Sequence, residues 1–120
     1  MNASDTPTVA ADPDLTGVVA RYFHVLADPT RVRILELLIE GDRNVSELVA
    51  DIGGGQSRIS NHLACLRWCG FVTSQRVGRE VLYSAADPAV EDLFALARRQ
   101  VRSDRATHLS ACRTITPPRR

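Results

Sequence analysis

The first part of the chain repeats its apolar residues every three to four positions, which is the period of an amphipathic α-helix. A first helix is predicted from Asp14, as its N-cap, to about Leu26, with an apolar face broad enough to cover a core and a partner subunit. Asp28-Pro29 restarts a second helix, because Asp caps helices and Pro suits their first turn, and Gly41 ends it. This second helix is strongly apolar, so we expect it to be the most buried.

A short helix, a glycine turn and a helix with one polar face come next. The short helix begins at Asn44 or Ser46 and ends at Gly53-Gly54-Gly55, because each glycine costs a helix about 1 kcal/mol relative to alanine. The following helix, residues 56–69, is closed by Gly70 and turns one apolar stripe to the core, namely Ile59, Leu63 and Leu66. This order of elements predicts a helix-turn-helix.

Beyond Gly70 the apolar pattern changes from the helical period to alternation. Apolar and polar residues alternate over residues 71–77 and 80–84, on either side of Gly78-Arg79. This pattern predicts a β-hairpin, or wing, with arginines near its tip. Asp87-Pro88 begins a last helix, which extends to about Arg102. We expect the apolar face of this helix to pair with the first helix of a second copy. The predicted fold is therefore mainly α with a β-hairpin, a homodimeric winged helix-turn-helix.

The polar face of the fourth helix is rich in side chains that hydrogen-bond phosphates and base edges in the major groove of DNA. Arg58 is favoured for such a contact because it lies in the first turn, although Arg58 and Arg67 also fit solvated surface charges. His62 is either a metal ligand or a DNA contact, and its place in the Ser-Asn-His-Leu run favours DNA. The predicted DNA-binding residues are Gln56, Ser57, Arg58, Ser60, Asn61 and His62 in the helix and Arg76 and Arg79 in the hairpin.

The length and net charge of the chain limit its number of domains and the kinds of partner it can bind. The 120 residues suffice for one domain with a modest core, and a net charge of +1 provides no field for non-specific coating of nucleic acid. We expect three segments: a disordered arm over residues 1–13, the DNA-binding and dimerisation domain over 14–102, and an irregular tail over 103–120. Without a stretch of about 20 apolar residues or a secretory signal, a cytoplasmic protein with no membrane partner is expected.

The three cysteines leave several kinds of chemistry open. Their number is odd and too small for a disulfide scaffold, so free thiols, a metal site and a redox switch all remain candidates. A single free cysteine is most often a small buried apolar residue. Cys65 and Cys69, however, lie one turn apart and about 80 to 120° from the core stripe of their helix, where two thiolates can chelate one ion.

Several motifs follow one another in a fixed order between about Val19 and Leu96. They are Leu26-Ala27-Asp28-Pro29-Thr30-Arg31, Arg33-Ile34-Leu35, Val45-Ser46-Glu47-Leu48, Ser57-Arg58-Ile59-Ser60-Asn61-His62-Leu63, and Gly78-Arg79 with Val81-Leu82-Tyr83. Together they resemble the ArsR/SmtB family of metal-responsive repressors. The resemblance implies a homodimer that binds double-stranded operator DNA without metal and releases it when metal binds.

The cysteines resemble one type of sensor within that family. The third helix has Ser46-Glu47-Leu48-Val49 where arsenic-type sensors carry Cys-x-Cys, and the last helix lacks the Asp-x-His pattern of zinc and cobalt sensors. Cys65-Leu66-Arg67-Trp68-Cys69 is instead similar to the Cys-Leu-Arg-Gly-Cys stretch of CmtR-type cadmium and lead sensors, with Trp68 in place of glycine. Those sensors add a C-terminal cysteine, for which Cys112 is the only candidate here.

This resemblance implies that Cys65, Cys69 and Cys112 bind a thiophilic metal ion, which acts as the effector. A site with three sulfurs suits cadmium or lead, and mercury is the strongest competitor because it accepts two or three thiolates. His108 either assists Cys112 or lies in solvent, and His24 is expected at the surface or the dimer face.

Two other functions compete with that of a metal sensor. The first is a thiol-based redox or sulfur-responsive repressor on the same scaffold. It would also need Cys112, because a disulfide between positions i and i+4 of one helix has poor geometry. The second is an enzyme, which we do not expect because the chain has no Ser-His-Asp, paired-carboxylate or phosphate-loop constellation.

Overall fold

The computed structural model describes residues 13–102 and 106–111. The order of elements is α1 (Pro13–Val25), α2 (Pro29–Glu40), α3 (Val45–Ile52), α4 (Gln56–Trp68), β1 (Val72–Val77), β2 (Glu80–Ala85), α5 (Ala89–Gln100) and α6 (Ala106–Ala111). The chain divides into two compact units, residues 1–86 and residues 87–120. The predicted fold, mainly helical with one antiparallel hairpin, is confirmed.

Side-chain caps fix where two of the helices begin. The Asp28 carboxylate accepts hydrogen bonds from the backbone N–H groups of Thr30 and Arg31, at 2.8 and 3.2 Å, and Pro29 opens α2 as predicted. Asn44 and Glu47 form a reciprocal capping box, so α3 begins after Asn44 rather than Ser46. Helix α1 begins at Pro13, which corrects the prediction for Asp14: it lies in the first turn and is not the N-cap.

The core of the first unit lies among α2, α3, α4 and the start of β1. The predicted α4 stripe is confirmed, since all three of its side chains are fully buried. Helix α2 contributes four buried residues, more than any other helix that the structure describes, as expected from its apolar pattern. The buried apolar residues of this unit are Ile34, Leu35, Leu37, Leu38, Leu48, Ile59, Leu63, Leu66, Phe71 and Val72.

The wing is joined to the helical part by several hydrogen bonds. In the hairpin Val77 pairs with Glu80 across the two-residue turn Gly78-Arg79, where Gly78 has a φ of 64°. The backbones of Arg43 and Tyr83 exchange hydrogen bonds of 3.1 and 2.8 Å, which attach β2 to the segment before α3. The wing therefore has a defined position beside the helix-turn-helix.

The second unit contains α5 and α6. Asp87 Oδ1 accepts a hydrogen bond of 2.8 Å from the backbone N–H of Ala89, so the Asp87-Pro88 restart of α5 is confirmed. The structure corrects the prediction of an irregular tail, because residues 106–111 form α6. The predicted arm, up to residue 12, and residues 112–120 lie outside the described residues. Within the described parts of the chain, no helix combines the length and the apolar character needed to cross a membrane.

Candidate operator-binding surface and thiol pair

The turn between α3 and α4 depends on glycine. Gly53, Gly54 and Gly55 have φ angles of 85°, 89° and 87°, a region that residues with a Cβ rarely adopt. A Cβ on Gly54 would lie 2.8 Å from Arg58 Nη1, so the guanidinium lies directly beside this turn. Arg58 Nη2 also donates a 3.1 Å hydrogen bond to Thr30 Oγ1 at the start of α2. Arg58, a predicted DNA contact, is therefore held in position at the N-terminal end of α4.

The predicted polar face of α4 lies outside the core. Ser60 and His62 are half-buried, and the other four predicted residues of this helix are exposed, namely Gln56, Ser57, Arg58 and Asn61. No side chain in the described part of the chain caps the N-terminus of α4. The N–H groups of its first turn and the positive end of the helix dipole therefore favour an anion such as phosphate.

The wing carries its two predicted DNA contacts, Arg76 and Arg79, as exposed side chains on β1 and in the turn. Arg67, near the end of α4, donates a 2.9 Å hydrogen bond to Ser74 Oγ on β1. Arg67 thus joins the predicted recognition helix to the wing, a role that the sequence did not indicate.

The two thiols at the C-terminal end of α4 lie outside the apolar core. Cys65 is half-buried and Cys69 is exposed. The backbone N–H of Cys69 donates a 3.0 Å hydrogen bond to the carbonyl of Cys65, so the helical spacing of the pair continues past Trp68, the last residue of α4. Trp68 is 91% exposed. Both sulfurs are therefore positioned on one side of the end of this helix, as their spacing predicts.

The surroundings of Cys69 raise the pKa of its thiol. Partial desolvation is the main cause, followed by the charge of Cys65 and a hydrogen bond with it, whereas the charge of Arg31 acts in the opposite direction. Cys69 borders a cleft of about 300 Å³ whose other lining residues are Val18, Arg21, Tyr22, Val25 and Phe71. A soft metal ion must therefore displace the proton of this thiol to bind.

The described residues include two candidate sulfur ligands and no complete metal site. Among them no group of three or more Cys, His, Asp or Glu side chains is close enough to hold an ion. Cys112 lies outside these residues, so its predicted role as the third ligand stays a prediction. His24 and His108 are exposed, on α1 and α6 respectively.

Arg31 is the residue that sequence reasoning missed. Its Nε donates a 3.2 Å hydrogen bond to Nδ1 of His62, and its Nη1 donates a 3.3 Å bond to the carbonyl of Val25. Beside it, burial alone would raise the pKa of Asp28, but hydrogen bonds from the backbone N–H groups of Arg31 and Thr30, together with electrostatic interactions with His62 and Arg31, lower it. No spacing rule connects positions 31 and 62, because only tertiary packing brings them together.

Comparison with known proteins identifies the family. The model for bacterial regulatory proteins of the arsR family matches residues 28–74. A probable mercury resistance operon repressor of Streptomyces lividans is 44% identical over 103 residues, which cover 86% of this chain and 79% of that protein. The chain belongs to the ArsR family. The resemblance seen in the sequence motifs is thereby confirmed, and so is the expectation that the protein is not an enzyme, since the family consists of transcriptional regulators.

Other relatives of this ArsR-family protein include a named transcriptional regulator and proteins of solved structure. The HTH-type transcriptional regulator CmtR of Mycobacterium tuberculosis is 48% identical over 69 residues, 58% of each chain. The crystal structure of M. tuberculosis Rv0081 superimposes with a TM-score of 0.71 at 43% identity, over 79% of this chain and 98% of that one. The homodimeric winged helix-turn-helix domain of Mb0332 from Mycobacterium bovis gives a TM-score of 0.68 at 31% identity, over 82% and 89%. The fold is thus that of a winged helix-turn-helix repressor of this family.

Proposed function

We propose that this ArsR-family repressor binds its operator as a homodimer and is released when a thiophilic metal ion binds to Cys65 and Cys69. The observation that carries the proposal is the pair of thiols outside the core, on the helix that also presents the predicted base contacts. Cys112 is the proposed third ligand. Cadmium, lead and mercury are the candidate effectors, because thiolates are soft ligands that bind soft ions in preference to magnesium or calcium.

The polar face of α4 is the proposed reader of the major groove, and the wing arginines are the proposed backbone or minor-groove contacts. Exposure supports this assignment: Arg58 and Asn61 on α4 and Arg76 and Arg79 on the hairpin are all open to solvent. The bond from Arg67 to Ser74 keeps the wing in a fixed position relative to α4. The two DNA-contacting elements therefore act as one surface.

The proposed dimer interface includes the apolar face of α1. Several large apolar side chains of this helix are exposed: Val18 at 51%, Val19 at 37%, Tyr22 at 37% and Phe23 at 53%. An exposed apolar surface of this kind is typical of a protein interface. The homodimeric state reported for the Mb0332 domain supports the same assembly. In the second unit Leu96 of α5 and Val101, the residue after α5, are also exposed, and we assign both to the interface.

The choice of metal depends on how many sulfurs bind it. Mercury is satisfied by two thiolates, which Cys65 and Cys69 supply by themselves, whereas cadmium and lead favour a third sulfur, from Cys112. The similarity to a probable mercury resistance operon repressor supports mercury. The similarity to CmtR agrees with the resemblance of the Cys65–Cys69 motif to the CmtR-type sensors.

Release of the purified protein from its own promoter fragment tests the proposal. Fluorescence anisotropy of labelled DNA is followed at fixed salt while cadmium, lead, mercury or zinc is added. We expect the soft ions to release the wild type, and Cys65→Ser and Cys69→Ser to keep DNA binding but lose this release. Ala64→Ser is the matched control, because it adds the same hydroxyl beside Cys65 on an exposed position of α4.

Two outcomes separate the alternatives. Release that persists in both cysteine variants would refute the site. Release of the wild type by peroxide, with no response to any of the metals, would identify the redox-responsive repressor instead. Cys112→Ser distinguishes between the metals. If only cadmium and lead need the third sulfur, this variant should still be released by mercury but no longer by cadmium or lead.

A further inference from the structure

Trp68, the last residue of α4, extends into solvent with 91% of its surface exposed. A helix turns by about 100° per residue, so Trp68 lies about 180° from Ile59 in the buried stripe of the same helix. The exposed face that it shares contains Ser57, Asn61 and Ala64, which precede it by eleven, seven and four positions. Trp68 therefore continues the face that carries the predicted base contacts toward the C-terminal end of α4.

The surroundings of this indole differ from those of the other exposed apolar side chains. The structure describes every residue of α4, and Trp68 is the one large apolar side chain of this helix that is exposed. The exposed apolar residues of α1, in contrast, form a group of four, which is typical of a protein interface. The neighbours of Trp68 on its face are small or polar, so they fit a polar partner better than an apolar protein surface.

The surface next to Trp68 is positively charged. Helix α4 and strand β1 together carry three arginines, Arg58, Arg67 and Arg76, and no aspartate or glutamate. All three are exposed, and the 2.9 Å hydrogen bond from Arg67 Nη1 to Ser74 Oγ joins the end of α4 to β1. A second copy that paired through this same face would bring these arginines against their own counterparts, which like charges oppose. A polyanion such as DNA meets charges of the opposite sign instead.

The position of Trp68 along α4 determines which part of the DNA it can reach. With a rise of about 1.5 Å per residue, its Cα lies about 10 Å beyond that of Asn61 along the helix axis. The major groove is about 12 Å wide, so a residue this far from the base-contacting turns lies near the edge of the groove, where the sugar-phosphate backbone runs. An indole fits that surface, because its ring can pack on a deoxyribose and its Nε1–H is a donor, whereas phosphate oxygens are acceptors.

We propose that Trp68 contacts the DNA backbone at the edge of the major groove, with its ring against a deoxyribose and its Nε1–H donated to a phosphate oxygen. The inference rests on the proposed function, because it takes α4 as the helix that enters the groove. It adds an uncharged residue to the operator-binding surface, and this contact fixes the position of α4 without reading a base.

The test uses Trp68 as its own probe, since it is the only tryptophan among the 120 residues. Metal-free wild-type protein is titrated with its own promoter fragment while tryptophan emission and its quenching by acrylamide are followed. Anisotropy of labelled DNA then gives affinities at several salt concentrations for the wild type, Trp68→Ala, Trp68→Phe and Arg76→Ala. The matched control is Leu109→Ala, which removes a side chain that is 45% exposed on α6 and leaves Trp68 in place.

We expect the operator to change the emission of Trp68 and to shield the indole from acrylamide. Trp68→Ala should bind the operator about tenfold more weakly, the effect of losing one packed aromatic contact from an interface. Trp68→Phe keeps a ring but no N–H, so its affinity should lie between those of Trp68→Ala and the wild type. Leu109→Ala should bind like the wild type.

The salt dependence separates the indole from the arginines around it. Tryptophan is uncharged, so the slope of log affinity against log salt should be the same in Trp68→Ala as in the wild type. Arg76→Ala removes a positive charge and should reduce this slope by about one. A reduced slope in Trp68→Ala would assign its weaker binding to displaced arginines and would overturn the contact.

The proposal is also overturned if operator binding leaves the emission and the acrylamide quenching of Trp68 unchanged, or if Trp68→Ala binds with wild-type affinity. Shielding of Trp68 that grows with protein concentration in the absence of DNA would assign the residue to a contact with a second copy instead. A wild-type protein that does not bind its promoter fragment would refute the proposed function itself, and this contact with it.

Discussion

Replacing Cys69 by serine should remove one of the protons that the protein releases when it binds a soft metal ion. Each thiol ligand must lose its proton to bind, so each one makes the apparent affinity rise about tenfold per pH unit while that thiol is protonated. If the α4 pair alone holds the ion, the wild-type affinity should rise about a hundredfold from pH 6 to 7, and the Cys69→Ser affinity only about tenfold. If Cys112 is a third thiol ligand, the rise in affinity from pH 6 to 7 should be about ten times larger both for the wild type and for Cys69→Ser.

The raised pKa of Cys69 sets the pH range of this effect. Partial desolvation and the neighbouring Cys65 favour the protonated thiol, so Cys69 still carries its proton at a pH where an ordinary thiol begins to lose it. Metal and proton compete for the same sulfur, and a higher pKa therefore moves the end of the steep region to higher pH. In the wild type, affinity should continue to rise past about pH 8.5, the ordinary thiol value.

Isothermal titration calorimetry in two buffers of different ionisation enthalpy counts these protons directly, and the sulfur-to-metal absorption band gives affinity against pH. Ala64→Ser, at the exposed position next to Cys65, should release as many protons as the wild type. If Cys69→Ser releases the same number as the wild type, Cys69 is not a ligand, and the reasoning from the thiol pair is refuted.

Three further predictions concern stability, DNA and the dimer. Asp28→Ala removes the cap of α2 and should lower the free energy of unfolding by about 1 kcal/mol in thermal or urea unfolding. Because the pKa of Asp28 is lowered in the folded state, this contribution should be fully present above the ordinary carboxyl pKa and lost as the pH falls through the lowered value. A contribution that persists at acidic pH would contradict this account. Arg58→Ala should weaken operator binding by about 1 to 3 kcal/mol, and an unchanged anisotropy titration at fixed salt would remove it from the DNA contacts. Phe23→Asp, at a side chain that is 53% exposed on α1, should weaken the dimer by at least about tenfold, and a dimer unchanged in sedimentation at low concentration would exclude α1 from the interface.

Local patterns predicted the elements well because their causes lie within a few residues. The stripe of Ile59, Leu63 and Leu66 is fully buried as its spacing required, and Gly78-Arg79 forms the hairpin turn. The prediction was less accurate at the ends of the chain. Asp14 lies inside α1 rather than before it, and residues 106–111 form α6 where an irregular segment was expected, because a short polar sequence carries little periodic signal.

The candidate site was predicted in part. The sequence identified which α4 residues avoid the core, since helical spacing determines which side of a helix each residue occupies. It could not identify what holds them in place. The bond from Arg31 to His62 joins residues 31 positions apart, and the bond from Arg58 to Thr30 joins residues 28 apart, so neither follows from a local repeat.

The sequence by itself therefore determined helices α1 to α5, the wing, the family and the pair of thiols, because each depends on residue type and on spacing within one or two turns. Only the tertiary structure decided that Arg31 contacts α4 and that Arg67 attaches the wing to α4. Those contacts form where separate elements meet, and the geometry of that meeting is set by the shared core rather than by either element alone.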